Sequence, residues 1–237
     1  MIKKFFEIEH IPAVLWGEDS DKVFIAVHGN MSNKEDTVIK IFAEKAIKKG
    51  YQVISFDLPQ HGERNDGILC KVQNCVKELD LIMDYAKQKW RSISLFACSM
   101  GAYFSLLAYR DCDIKQSLFL SPVVNMKRII ENMMMWFDVD EARLEKEHEI
   151  STPIGQTLYW DYYCYVKEHP IDKWDSRTCI LYGSKDDMCE SEFVFEFAKK
   201  FECELSVFED GEHYFHTKEQ LSYYKNWLDI AVIEGNM

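Results

Sequence analysis

Residues 93–110 read Ile-Ser-Leu-Phe-Ala-Cys-Ser-Met-Gly-Ala-Tyr-Phe-Ser-Leu-Leu-Ala-Tyr-Arg, and no other stretch constrains the chain as strongly. A β-type run over 93–97 stops abruptly, and a helix-type run begins within two residues of Ser99. Small residues stand two places either side of that serine, Ala97 before it and Gly101 after it. A strand that turns straight into a helix needs this, because large side chains at those positions would collide as the two elements close. The serine between them is expected in a strained backbone conformation that pushes its hydroxyl clear of the chain. Centring the same turn on Cys98 puts Phe96 and Met100 at the tight positions, so Ser99 is the candidate nucleophile.

The rest of the chain repeats the alternation of strand and helix. Residues 4–8 and 13–16 form an expected opening pair of strands with Pro12 between them. Residues 23–27 are continuously apolar, as a strand covered on both faces should be. Ser32 and Glu35 have capping-box spacing before a helix whose Val38, Ile39, Phe42, Ala46 and Ile47 share one face, and Gly50 ends it. A strand over 52–56, a helix over 72–90, the Ser99 turn with its helix, and a strand over 116–120 follow. Later come a strand over 179–182, a helix over 192–201, a strand over 204–208 and a last helix capped by Thr217 and Gln220. Such alternation implies an α/β fold with a mostly parallel central sheet and helices on both faces. The alternation fails over 123–175, where Met133 to Phe137, an acidic stretch and the aromatic residues Tyr159 to Tyr165 read as a mainly helical cap or lid. Residues 1–122 and 176–237 then form the core.

At 237 residues the chain is long enough to bury a large single core. Its 28 basic and 40 acidic side chains give a formal charge of −12 without a dense basic block, which disfavours nucleic acid and anionic membranes as partners. The eight cysteines show no C-x-x-C spacing and no paired metal-site pattern, so neither metal nor cofactor is expected. Cys98, Cys112 and Cys179 fall in or beside expected core elements, where thiols pack as small hydrophobes. The N-terminus turns acidic too early for a signal peptide, and no apolar run approaches membrane-spanning length, so a cytoplasmic protein without membrane insertion is expected. Oligomeric state leaves no mark in the sequence.

In a parallel sheet, functional groups collect at the carboxyl ends of strands. Four such loops carry suitable residues: His28-Gly29-Asn30, Ser99, Gly183-Ser184-Lys185-Asp186-Asp187 and Gly211-Glu212-His213. From residue 23 to the last helix, the chain resembles the α/β-hydrolases of the serine esterase and lipase type. The family's Gly-x-Ser-x-Gly turn corresponds to residues 97–101, with alanine in place of the first glycine. Its His-Gly-x loop matches 28–30, its Asp-x-Pro-x-His-Gly loop 57–62, its Gly-x-x-Asp turn 183–186 and its Gly-x-His turn 211–213.

This resemblance implies the α/β-hydrolase fold and a serine hydrolase in which Ser99 attacks, His213 is the base and Asp186 orients it. Backbone N–H groups of Asn30 and Met100 would form the oxyanion hole. Asp187 and His216 are the competing acid and base, and the family spacing from Gly183 favours Asp186. Asn125, at the other position where relatives place the acid, cannot serve as an anion. Dehalogenase and epoxide-hydrolase relatives carry an aspartate where Ser99 stands. His28 and His61 read as loop braces, and His10, His148 and His169 as surface or cap residues. Met133, Met134, Trp136, Tyr159 and Trp160 are candidates for an apolar substrate pocket, or else hold the cap to the sheet. The layout is similar to small bacterial carboxylesterases, cinnamoyl esterases and monoacylglycerol-lipase-like enzymes. It implies an uncharged or weakly charged small ester as the partner. Thioesterase, amidase or peptidase, acyltransferase and a silent ligand-binding scaffold stay open on the same residues.

Overall fold

In the computed structural model, which describes residues 1–234, alternate residues of strand β3 (Lys22–Val27) enter two different cores. Val23, Ile25 and Val27 face one and Phe24 and Ala26 the other, so the strand is apolar throughout because both its faces are covered. The chain begins with β1 (Lys3–Ile8) and β2 (Ile11–Trp16), an antiparallel hairpin turning at Glu9 and His10. After β3 come α1 (Thr37–Lys48), β4 (Gln52–Phe56), α2 (Val72–Lys89), β5 (Ser92–Cys98), α3 (Met100–Ala108) and β6 (Ser117–Leu120).

The chain then leaves the sheet for α4 (Met126–Trp136), α5 (Glu141–Glu147), the hairpin β7 (Glu149–Ser151) and β8 (Thr157–Tyr159), and α6 (Trp160–Glu168). It returns with β9 (Thr178–Gly183), α7 (Ser191–Lys200), β10 (Glu204–Phe208) and α8 (Lys218–Ala231). The eight main strands lie in the order β1-β2-β4-β3-β5-β6-β9-β10, parallel except where β2 meets β1 and β4. Helices α1 and α8 bury their apolar residues in one core, and α2, α3 and α7 theirs in the other. The expected α/β architecture, with helices on both faces, is what the chain forms.

Several local expectations need correction. Pro12 does not separate the first two strands but lies within β2, one residue before the ladder to β4 begins at Ala13. Near a strand's start its missing N–H costs little. Ser32 and Glu35 form no capping box: α1 begins at Thr37 with Asp36 as its cap residue. Ser32 instead bonds the Asp36 carboxylate and Glu35 takes Lys3, while Lys34 is pulled inward onto Asp57. That tertiary tie overrides the local signal. The capping box expected at Thr217 and Gln220 is present, and Gly50 ends α1 with φ +83°. The segment between β6 and β9 carries helices as expected, but also the β7–β8 hairpin, whose Ile150 and Leu158 face each other and are buried. Among the described residues, no helix is long and apolar enough to cross a membrane.

Candidate active site

Ser99 occupies the single residue between β5 and α3, with φ 50° and ψ −126°. A non-glycine residue there is strained, and the surroundings hold it in place. Its N–H donates to Leu120 and its carbonyl accepts from Ala102 and Val123. Ala97 is fully buried, paired with Val27 on one side and Phe119 on the other. A Cβ on Gly101 would sit 2.3 Å from the His28 carbonyl oxygen, so only glycine lets α3 approach the end of β3 this closely. Gly29 is similarly confined, since its Cβ would lie 3.0 Å from that of Ser99.

Two more loops meet the serine. A Cβ on Gly183 would lie 2.4 Å from the Gly211 carbonyl oxygen, so the turns after β9 and β10 touch backbone to backbone. Lys185 N–H donates to that same carbonyl at 2.7 Å. These turns deliver Asp186 and His213. Ser99 Oγ is 2.8 Å from His213 Nε2, and His213 Nδ1 is 2.7 Å from Asp186 Oδ2. A carboxylate can only accept, so Nδ1 carries the proton and Nε2 is left to accept from the serine hydroxyl. The other Asp186 oxygen accepts from the N–H groups of Met188 and Cys189 at 2.9 and 2.8 Å. Its side chain has no exposed surface, whereas that of His213 keeps 17%.

The competitors lie elsewhere. Asp187 is exposed, and His216 turns its Nδ1 to the Tyr214 carbonyl and stacks on that ring. Asn125 caps α4 by accepting from Arg128 N–H. His148 and His169 end α5 and α6, and His10 reaches Glu78 from the surface. Ser184 is a turn former, accepting from Asp210 N–H.

Met100 is the first residue of α3, where N–H groups have no partner within the helix. Asn30 follows the confined Gly29, and its Oδ1 lies 3.2 Å from His61 Nε2. His28 braces this loop as a neutral ring: Nδ1 donates to the Gly29 carbonyl and Nε2 accepts from Leu58 N–H. Burial lowers its pKa to about 4.

The five pocket candidates differ in exposure and in neighbours. Met134 is buried, Met133 packs on the core, and Trp136 on the far side of α4 is 58% exposed. Tyr159 lies beneath the Lys71 ammonium, and Trp160 packs near Tyr163. A cavity of about 10 Å³, the space of one water, lies between Val123 and Cys189 and is lined by neither the two methionines nor the three aromatic residues. Asp186, Cys189 and His213 bring one donor atom each within 4.8 Å of one another, the geometry a metal ion could use. Burial pushes the Cys189 thiol up, which works against the thiolate that a metal would need. Met188 and Cys189 serve the site through backbone N–H groups, which no side-chain motif encodes.

No family model matches the chain, and no curated protein matches it. Solved structures do. Est1E from Butyrivibrio proteoclasticus, with ferulic acid bound, is 20% identical with a TM-score of 0.75, over 96% of this chain and 98% of that one. The Pyrococcus furiosus esterase Pf2001 is 19% identical with a TM-score of 0.70, over 96% and 88% of the two chains. The mouse alpha/beta hydrolase domain-containing protein 10 is 16% identical with a TM-score of 0.73, over 97% and 98%. On its strand order, its strained serine between β5 and α3 and these likenesses, the chain has the α/β-hydrolase fold.

Proposed function

We propose that the protein is a serine hydrolase that cleaves carboxylic esters through an acyl-enzyme. The observation that carries this reading is the unbroken chain of hydrogen bonds from Ser99 Oγ through His213 to the buried Asp186. In this scheme His213 Nε2 takes the Ser99 proton as Oγ attacks the ester carbonyl. Asp186 fixes the tautomer and balances the charge the imidazole gains. The carbonyl oxygen becomes an anion, and the N–H groups of Asn30 and Met100 would receive it, one such donor contributing about 3–4 kcal/mol to the transition state. His213 then protonates the departing alcohol, and water, activated by the same ring, releases the acid.

Supporting the ester assignment, Pf2001 carries the name esterase, and Est1E is described with ferulic acid bound. An uncharged or weakly charged ester with an apolar acyl group suits this scheme. We include in the proposal a division into a core, residues 1–122 and 176–237, and a cap, residues 123–175. The ties of Lys71 to Asp161 and Tyr159 support it as places where α6 is fastened to the start of α2. A reducing, cytoplasmic setting for the eight thiols belongs to the same proposal.

A fluorophosphonate probe tests the reading. The protein should be labelled at Ser99, and Ser99→Ala should abolish the label while keeping the urea midpoint. Labelling that survives the substitution would overturn it.

A further inference from the structure

Residues 61–71 form neither helix nor strand, and they end against the first turn of α2. There they bring two thiols and an imidazole together. Cys70 Sγ and Cys75 Sγ are 3.7 Å apart. Cys75 is fully buried on the inner face of α2, while Cys70, at the end of the loop, stays partly open. His61 is near enough to the Cys70 sulfur to favour its charged form. Its Nδ1 is 2.8 Å from the Pro59 carbonyl and its Nε2 is 3.2 Å from Asn30 Oδ1. Both ring nitrogens therefore face oxygen acceptors, as in an imidazolium that donates from each. We propose that Cys70 and Cys75 are a peroxide-reactive dithiol: a hydroperoxide oxidises Cys70, and Cys75 closes a disulfide onto it.

The asymmetry between the two sulfurs fits the two roles. When Cys70 is the thiolate, the Cys75 S–H can donate to it, and this contact together with His61 outweighs burial and lowers the Cys70 pKa to about 6. Burial pushes Cys75 well up, so it stays a thiol. Burial also opposes a charged His61, yet its bonds to Cys70 and Pro59 prevail and raise its pKa. Glu78 of α2 opposes the thiolate, but Arg64 neutralises it through two bonds of 2.7 Å. From α6, the partly buried Tyr162 faces both sulfurs, and desolvation keeps its phenol neutral. The other six cysteines are all shifted upward, so Cys70 alone is primed.

The chemistry balances with a hydroperoxide as the only co-reactant. The Cys70 thiolate attacks the peroxide, an S–O bond forms as the O–O bond breaks, and the departing alkoxide takes a proton from solvent. Sulfur is oxidised to the sulfenic acid and the peroxide is reduced to an alcohol. The Cys75 sulfur then attacks Cys70, its proton leaving with the hydroxide as water. Closing from contact distance to a bond of about 2.05 Å needs a shift of under about 2 Å, available to a loop without helix or strand.

The full-length protein, treated with a small excess of hydrogen peroxide at about pH 6, alkylated and digested with trypsin without reduction, gives the test. Cleavage after Arg64, Lys71 and Lys77 separates peptide 65–71 from 72–77, so the disulfide appears as this cross-linked pair. It should form before any other cysteine is oxidised and vanish on treatment with dithiothreitol. At that pH about half of Cys70 is thiolate, against under about 1% of an ordinary thiol; after the lower nucleophilicity of an acidic thiol is allowed for, Cys70 should react about tenfold faster than glutathione. In Cys75→Ser, dimedone should trap Cys70 as the sulfenic acid, and in Cys70→Ser it should leave Cys75 unlabelled. Oxidation of other cysteines without the cross-linked pair, or equal dimedone labelling in the two variants, would overturn the proposal. The readout does not depend on any activity of Ser99.

Discussion

Lys34→Met should destabilise the protein far more than the loss of a lysine ordinarily does. The Lys34 ammonium lies 2.6 Å from Asp57 Oδ2 and 2.9 Å from Glu63 Oε2, with 4% of its side chain exposed. The Asp57 side chain has no exposed surface and Glu63 has 70%, so one cation joins a buried and a solvated anion. Removing the ammonium leaves Asp57 charged and enclosed, with only the N–H groups of Lys34 and Glu63 as donors. Breaking such a pair costs about 3–5 kcal/mol, and the two surviving donors put this case at the low end, about 3 kcal/mol. For a chain of this size the melting temperature should fall by about 6–12 °C. Glu63→Gln, at the exposed end, should cost under about 1 kcal/mol. In Lys34→Met/Asp57→Asn the buried group is neutral, and most of the loss should return. Equilibrium urea unfolding of the four proteins decides the matter. If Lys34→Met costs no more than Glu63→Gln, or the double variant is no better than the single, the buried charge is not what holds this loop.

Asp186→Asn should lower the hydrolysis rate of p-nitrophenyl acetate about 10⁴-fold by favouring the wrong tautomer of His213, while Asp187→Asn should leave it within about threefold. Gly101→Ala drives a Cβ to 2.3 Å from the His28 carbonyl and should cost about 1–3 kcal/mol in urea, together with the fluorophosphonate label. His28 bears on acid stability. Its folded pKa of about 4 lies below the ordinary 6.5, so the unfolded chain binds more protons between these values. The stability it lends is therefore present above about pH 6.5 and lost as pH falls toward 4, to a limit of about 3 kcal/mol. Urea titrations near pH 7 and pH 4.5 should show a steeper loss for the native protein than for His28→Asn.

The parts of the fold most legible in the sequence are those with a one-to-one physical cause. Strands covered on both faces must be almost wholly apolar, so residues 23–27, and residues 93–97 apart from the buried Ser94, announce themselves. The choice of Asp186 over Asp187 is set by a turn, Asp186 N–H to the Gly183 carbonyl, and by two backbone donors from residues 188 and 189; periodicity carries neither. Ser32 and Glu35 misled because a capping box is local, and Lys34 between them answers to Asp57. Of the pocket candidates on α4, Met134 and Trp136 are two residues and so about 200° apart around the helix, which buries the first and exposes the second. The β7–β8 hairpin is short, and its signal, two alternating triplets around Gly155 with φ +79°, was lost among the surrounding helices. Cys70 lies in a loop with no repeat, so nothing in its spacing from Cys75 indicates that the sulfurs touch.

What brings Ser99, His213 and Asp186 together is mainly the closeness of bare backbone. Each of the three side chains follows a different strand, and the loops that carry them are held by glycines that leave little or no room for a methyl group. Gly101 presses α3 onto β3, Gly29 abuts Ser99, and Gly183 and Gly211 cross in contact. Backbone contacts of this kind have few alternative arrangements, whereas a contact between long side chains can be remade in several rotamers. The small residues in the motifs therefore report distances between chain segments, and the polar residues report what is held at those distances. Among the side chains of Ser99, His213 and Asp186, it is Asp186 that backbone donors from outside the trio hold, because the group that orients His213 must not itself turn. A site built this way should tolerate changes on its exposed rim, such as Asp187 or Met31, and fail at its glycines.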